Sequence, residues 1–571
     1  MEKTENHGLP KWLSFLPPTQ WLPHYSPSYL GSDVVAGITL AAYAIPVSLA
    51  YATLAGLQPQ VGIYGYLLGG LGYALLGSSR QLAVGPTSAI SLMIASSIAL
   101  MAGDDALRYA QIASLAAFTV AGLALISWAL RLSVLVRLIS DSILVGFKTG
   151  AGLTIAMTQL PSLFGVTGGG HNFFERLLLI LGQLGGTNPI VLAVGLTAIL
   201  AIVAGDRLFP GRPVALAVVC ISIAAATLLG LPGMGVPITG AIPSGLPSLH
   251  GPLLRLRDVE GIVPLAGGVL LLAYIEGVSA ARSFAAKHGY ALDPRQEFLG
   301  IGAANLFAGL GQGYPVAGGL SQSAVNDKAG ARSPLALVFA SITLAICLLF
   351  LTGLLENLPK AVLAAVVLTA VAGLINFPEL RRMSRVSRVD FYAATIALVA
   401  VLLLGILQGI LLAALASIIM LLIRASRPHV AFLGRIPGTS DYSDVDLHPE
   451  NEPLGHAIAF RPESNLIYVN ADTVLQAVLE RVEAEKVNDL KLVVCDLSAS
   501  PVLDLAGSGM LHKLHAELAT QKVPLRVVGA RGRTRDLLQA DNLEEKLGGV
   551  EGRSLDDLLK SFGAASPSIK Q

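Results

Sequence analysis

The chain has 571 residues, 53% of them hydrophobic and 13% charged, with a mean hydropathy of +0.66. Soluble globular domains carry about 25% charged residues, so composition excludes an ordinary water-soluble protein and points to a membrane. The net charge of +1 gives no basic surplus to draw nucleic acid, and Cys220, Cys347 and Cys495 lie too far apart in sequence to suggest a disulfide framework or a metal site.

In chain order, residues 1–32 are polar, with Trp12, Trp21 and several prolines, and are expected to be a cytoplasmic N-terminal segment without a cleavable signal peptide. From residue 33 to 424, apolar stretches of the length a bilayer demands, about 17–24 residues, recur. They cover 33–56, 61–77, 84–102, 109–130, 138–160, 189–206, 213–230, 263–283, 296–312, 318–333, 335–354, 358–376, 390–405 and 406–424. This predicts fourteen spans. With a cytoplasmic N-terminus, the inner loops collect Arg80, Arg131, Arg137, Arg207, Arg212, Arg282, Lys287, Arg295 and the Arg381, Arg382, Arg385 and Arg388 group. The outer loops hold Arg108, Arg176, Arg255, Arg257 and Lys360. That bias supports an even number of spans and puts both termini in the cytoplasm.

After Arg427 the composition changes. Residues 425–440 are expected to be a linker, 441–562 a small α/β domain and 563–571 a disordered tail. Strands are expected over 465–470, 490–497 and 523–529, and helices over 472–486, 507–520 and 534–540. His512 and His515 are most simply a solvated helix face.

The third and tenth spans are irregular. The third opens on Val84-Gly-Pro-Thr-Ser-Ala-Ile90, and the tenth lies in the Gly-, Ser- and Ala-rich stretch from Tyr314 to Arg332. Interrupted helices in corresponding halves of a membrane protein mark a substrate site, because each helix N-terminus aims a partial positive charge into the bilayer. Thr87, Ser88, Ser321 and Ser323 would add hydroxyl donors, although Ser and Thr can also serve to satisfy backbone groups freed by Gly and Pro.

Ionisable groups inside apolar spans are costly and usually functional. Glu276 lies near the middle of the eighth span, where a carboxylate must be protonated, paired or bound to a cation. It is either a proton or sodium coupling site or a structural hydrogen-bond partner. Lys148 in the fifth span can face an anion pathway, pair with Asp141 or snorkel to the surface. Asp33 and Asp390 open the first and thirteenth spans and are expected to be helix caps. The sequence holds no nucleophile–base pair, phosphate-binding glycine loop or metal-ligand cluster, so an enzyme is not expected.

These residues resemble the SulP anion transporters, relatives of the animal family that includes prestin and pendrin. Asp33-Val-Val-Ala-Gly37 with Ile45 to Gly56 resembles the family's first helix, and Leu76 to Pro86 its loop into the third. Asn305 to Gly309, Ser321 to Asn326 and Ala329 to Arg332 resemble the ninth and tenth. The C-terminal region resembles a STAS domain, the family's usual cytoplasmic partner.

The resemblance implies two inverted seven-span repeats, forming a core domain (spans 1–4 and 8–11) and a gate domain (spans 5–7 and 12–14). A homodimer in the cell membrane, the bacterial inner membrane, would move its core like an elevator. The anion would bind at Pro46, Val47, Thr87, Ser88, Gly319, Leu320, Ser321 and Gln322, with Glu276 as the cation-coupling residue and no cofactor or metal. Lys148 falls in the gate, away from the substrate. The implied activity is secondary active transport of a small anion, sulfate first, by proton- or sodium-coupled symport or by exchange. Bicarbonate or a dicarboxylate is the alternative substrate, and an uncoupled anion channel the alternative class.

Two departures bear on this. Val47 stands where many members have Gln, and Gln322 where many have Arg, so the usual fixed positive charge is missing. In the C-terminal region, Ala506 occupies the position of the serine phosphorylated in bacterial anti-sigma antagonists. That switch is therefore absent, which leaves dimerisation or a cytoplasmic partner as the expected role.

Overall fold

The computed structural model describes residues 17–103, 105–133, 140–170, 172–209, 213–252, 256–485, 490–548 and 554–565. They belong to two compact units, Met1–Ser417 and Ile418–Gln571. Half of the expected cytoplasmic segment (residues 1–16) and the end of the expected disordered tail (566–571) lie outside the described residues.

In the first half of the helical unit, a single turn α1 (Pro18–Trp21) leads to α2 (Leu30–Leu54) and α3 (Pro59–Leu76). The two-residue strand β1 (Val84–Gly85), α4 (Ser88–Ala102) and α5 (Ala106–Ala129) follow. Then come α6 (Asp141–Phe164), α7 (Phe173–Gln183), α8 (Pro189–Leu208) and α9 (Val214–Leu228). The second half runs α10 (Leu256–His288), α11 (Pro294–Leu310), β2 (Ala317–Gly318), α12 (Leu320–Lys328) and α13 (Leu335–Phe350). It continues with α14 (Lys360–Ala372), α15 (Phe377–Val386), α16 (Arg388–Leu404) and α17 (Ile406–Ser426).

Every expected apolar span coincides with one helix. Seven of the described helical stretches are long and apolar enough to cross a membrane unaided. Leu200 and Leu208 on α8, Ile221 and Leu228 on α9, and Leu411 and Leu415 on α17 are exposed apolar residues, as lipid-facing sides require.

Packing reveals the repeat. The contact of α2 with α13 has its counterpart in α10 with α5, and α3 with α13 is matched by α11 with α5. Likewise α8 packs on α14 as α16 packs on α6, while α3 meets α11 and α6 meets α14. Helices α2–α5 and α10–α13 thus interleave as one body, and α7, α8, α9, α15 and α16 gather around α6 and α14. The spans predicted from hydropathy omit α7 and α15. Both are short amphipathic helices of 11 and 10 residues, capped by Asn172 and Asn376, and they follow the fifth and twelfth spans in corresponding positions.

At the centre, β1 and β2 pair antiparallel, Val84 opposite Gly318 and Gly85 opposite Ala317. Glycine is required at position 85, because a Cβ there would meet the Tyr66 ring at 2.1 Å. Side chains fix the surrounding backbone. Asn305 donates from Nδ2 to Val316 O at 3.0 Å and accepts from Val316 N at 3.0 Å. Ser323 Oγ accepts from Ala83 N at 2.9 Å. Helices α4 and α12 start just after these two-residue strands and are short, 15 and 9 residues.

The two expected caps act differently. Asp33 sits within the first turn of α2, fully buried, and does not cap its own helix. Its carboxylate accepts from Arg332 N at 2.7 Å, Ser333 N at 3.1 Å, Ser333 Oγ at 2.7 Å and Tyr25 OH at 3.1 Å, so it anchors the approach to α13. On α16 the cap is Ser387, while Asp390 accepts from Ser142 Oγ of α6 at 3.0 Å. Asp33→Ala leaves four donors without their acceptor. It should destabilise the protein by on the order of 3 kcal/mol, visible as a fall of several degrees in the unfolding temperature of purified protein. Asp33→Asn, which keeps one acceptor oxygen, should lose less.

The C-terminal unit is a five-stranded sheet of order β4-β3-β5-β6-β7, built from β3 (Val430–Arg435), β4 (Tyr442–Asp444), β5 (Ala457–Pro462), β6 (Leu492–Asp496) and β7 (Leu525–Val528). The crossovers between its parallel strands are α18 (Ala471–Glu485) and α19 (Leu505–Thr520). Val474, Leu475, Val478 and Val482 on α18 and Met510, Leu511, Leu514 and Leu518 on α19 recur at helical spacing and pack on one sheet face. The helix α20 (Arg533–Ala540) follows β7, and α21 (Leu555–Ala565) covers the other face with Leu555, Leu558, Leu559 and Phe562.

Several sequence expectations need correction here. The expected linker contains β3, which pairs with both β4 and β5. The expected strand over 465–470 is a turn with one bridge, Leu466 to Leu503, and the true strand lies at 457–462. The expected tail begins inside α21. Short strands and a small amphipathic helix carry too few residues for periodicity to separate them from loops. His512 is not a plain solvated face, since its Nε2 lies 3.3 Å from Asp541 Oδ2, which also accepts from Ser508 Oγ at 2.5 Å.

Candidate functional site

The starts of α4 and α12 open into one cavity of about 360 Å³. Each helix leaves its first N–H groups without an intrahelical acceptor. Side chains meet such groups on some helices, Asp105 on α5, Asn188 on α8 and Asp293 on α11, whereas α2, α3, α9, α13 and α14 have no side-chain cap. No side chain caps α4, whose N-cap is Thr87, or α12, whose N-cap is Gly319. Thr87 Oγ1 is itself buried with no hydrogen-bond partner among the described residues. Uncapped N–H groups and a partnerless hydroxyl in one cavity form a receptor for an anion.

The lining unites most of the expected residues. Val47, Thr87, Ser88, Gly319, Leu320, Ser321, Gln322 and Glu276 all border the cavity. Pro46 does not. It lies buried within α2, where it removes one backbone N–H beside the site. Gln322 is present but committed, because its Nε2 donates to Ala83 O at 3.0 Å and Ala317 O at 3.1 Å. Its side-chain donors therefore tie the residue before β1 to β2 and are spent on backbone carbonyls. Ser323 is likewise structural, donating to Gly319 O at 2.7 Å.

Glu276, on α10, is half-buried and makes no hydrogen bond or ion pair among the described residues. Lys148, which the family mapping had moved away from the substrate, borders the same cavity. Neither Asp141 nor any other described carboxylate pairs with it directly, although Glu276 borders the same cavity. Tyr43 and Tyr51 also line the wall. With Val47 they repeat every four residues along one face of α2, a stripe of phenols in an apolar span that could have singled them out.

A larger cavity of about 670 Å³ lies elsewhere in the unit, bordered by Trp21, Arg80, Trp128, Tyr290, Arg295 and Arg332. Its arginines are partly engaged: Arg295 stacks on Trp128 and Arg80 on Tyr290. The helix starts at its edge are already served by Asp293 and Asp33. The smaller cavity, with its unmet donors, is the better candidate.

The model of the Sulfate permease family matches residues 30–397. The chain belongs to the sulfate permease family. A STAS domain model matches residues 448–554. A probable sulfate transporter of Mycobacterium tuberculosis is 33% identical over 526 residues, covering 92% of this chain and 93% of that protein. Probable sulfate transporter 3.3 of Arabidopsis thaliana is 31% identical, over 93% of this chain and 87% of its own length. The fold is shared with SLC26A9, at a TM-score of 0.86 and 22% identity over 97% of this chain and 93% of that one. It is shared less fully with the transmembrane domain of the cyanobacterial bicarbonate transporter BicA, at a TM-score of 0.60 and 20% identity over 69% of this chain and 98% of that one. The chain is thus a member of a family of multi-pass membrane anion transporters and carries a C-terminal STAS domain. The family is one of transporters, not enzymes.

Proposed function

We propose that this sulfate permease carries sulfate across the cell membrane by secondary active transport, binding the anion between the starts of α4 and α12 and a proton or sodium ion at Glu276. The observation that carries the reading is the pair of uncapped helix starts around the partnerless Thr87 hydroxyl, with one carboxylate in the same cavity. A dianion beside an ionised Glu276 is repelled by on the order of a few kcal/mol. Binding a cation at Glu276 removes that repulsion, so each ion favours the other, which is the thermodynamic content of symport. The two bodies of helices would shift against each other to expose the cavity on alternate sides. A homodimer, with both termini in the cytoplasm, is the expected assembly.

Labelled sulfate uptake into proteoliposomes tests this, with and without an inward proton or sodium gradient and with bicarbonate and fumarate as competitors. Gradient-driven sulfate uptake is the expected result. Protein that moves bicarbonate or fumarate and leaves sulfate outside would overturn the substrate assignment, and currents indifferent to both gradients would favour a channel. Thr87→Val removes the buried, partnerless hydroxyl of the cavity wall while keeping the side chain's shape. It should raise the KM for sulfate roughly three- to tenfold, the cost of one lost hydrogen bond, with little change in protein stability.

A further inference from the structure

The cavity is lined from both bodies of helices. Thr87, Ser321 and Glu276 come from α4, α12 and α10, whereas Lys148 comes from α6. Lys148 and Glu276 are the two lining residues with a formal charge, and Tyr43 and Tyr51 are the other titratable groups facing them. The Lys148 ammonium has no hydrogen bond or ion pair among the described residues, and Glu276 borders the same cavity. An ammonium at this depth is costly unless something offsets it.

Charge balance indicates what does. Each helix N-terminus contributes about half an elementary charge. Two such ends offer about one positive charge, enough for a monoanion but not for sulfate. Lys148 raises the total to about two, the charge of a dianion. With Glu276 ionised the total falls back by one, and with a cation on Glu276 it is restored.

Resting on the reading of this cavity as the anion site, we propose that Lys148 is the substrate-binding cation of this permease. It is supplied from α6 and takes the place of the fixed charge that Gln322 does not provide. It also sets the preference for a doubly charged tetrahedral oxyanion over a singly charged one. A bound dianion then touches both bodies of helices at once.

The test uses the full chain in proteoliposomes. Lys148→Gln should raise the KM for labelled sulfate about ten- to hundredfold, the range of one charge-assisted hydrogen bond. Inhibition of the residual uptake by nitrate should change less than about threefold, since the helix ends alone serve a monoanion. Lys148→Arg should keep sulfate KM near that of the parent protein.

A second measurement removes folding as an explanation. In a background where the exposed Cys220 is replaced by Ser, Lys148→Cys is modified either with an aminoethyl or with a neutral hydroxyethyl methanethiosulfonate. The ammonium adduct should recover sulfate uptake and the neutral adduct should not, and sulfate should slow the modification.

Unchanged sulfate KM in Lys148→Gln, or equal rescue by both adducts, overturns the proposal. Ser321→Trp, which fills the cavity, separates the two levels. If it leaves sulfate uptake intact, the cavity is not the anion site and both readings fail. If it blocks uptake while Lys148→Gln behaves like the parent, only the role of Lys148 fails.

Discussion

Glu276→Gln is expected to abolish the response of sulfate uptake to an imposed cation gradient while leaving sulfate-for-sulfate exchange in place. The amide keeps the shape and the neutrality of a protonated carboxyl but cannot ionise. Glu276 has no hydrogen-bond partner among the described residues and shares its cavity with the proposed anion, so the substitution leaves no described donor or acceptor stranded. The anion site of the variant stays permanently in its cation-loaded electrostatic state. Binding and exchange continue, but no cation is carried and no gradient is spent. The measurement is accumulation of labelled sulfate with and without an inward proton gradient, repeated with sodium, beside counterflow in the absence of either. Complete loss of accumulation with exchange retained is the expected pattern. A variant that still concentrates sulfate against its gradient would move the coupling site elsewhere.

Gly62→Ala should be a strongly damaging single-methyl change near the site. A Cβ at Gly62 of α3 would lie 2.0 Å from the Ser48 carbonyl oxygen and 2.7 Å from its carbon. These are backbone atoms within a helix and cannot turn aside. Relief requires α2 to move away from α3, and α2 carries Val47 and Tyr51 into the cavity. Overpacking of this kind costs about 1–3 kcal/mol or more. The expected results are a drop of several degrees in unfolding temperature and at least a tenfold loss of sulfate uptake per folded protein. Gly31→Ala, at a position with nothing within 4 Å, is the control and should be neutral or slightly stabilising, since alanine favours a helix by about 1 kcal/mol over glycine. Equal behaviour of the two variants would mean that the α2–α3 contact does not hold the site.

Where the sequence carried a strong periodic or compositional signal, it was enough. Apolar stretches of bilayer length coincide with helices because a span must satisfy all its backbone groups internally, and this leaves a long uninterrupted signature. The breaks at Val84 to Ile90 and around Ser321 were visible because Gly, Pro and Ser cannot extend an apolar helix cheaply, and the structure turns them into β1, β2 and two helix starts. The amphipathic helices α7 and α15 and the strand β3 were not visible. Each is short, and each owes its conformation to the surface it packs on.

The sequence by itself determined the class of molecule, the fourteen apolar spans, the two interrupted helices and the presence of an unusual carboxylate at Glu276. Local chemistry suffices for these, because hydrophobic length, helix-breaking residues and the cost of a buried charge are properties of a segment. Only the tertiary structure decided what each polar group faces. It gave Asp33 to the approach of another helix some 300 residues away, spent the Gln322 amide on the Ala83 and Ala317 carbonyls, and left Thr87 without a partner. It also brought Lys148 to the wall of the cavity that the two helix starts line. A side chain's partners in a repeat fold come from the other half of the chain, and spacing along one segment holds no information about them.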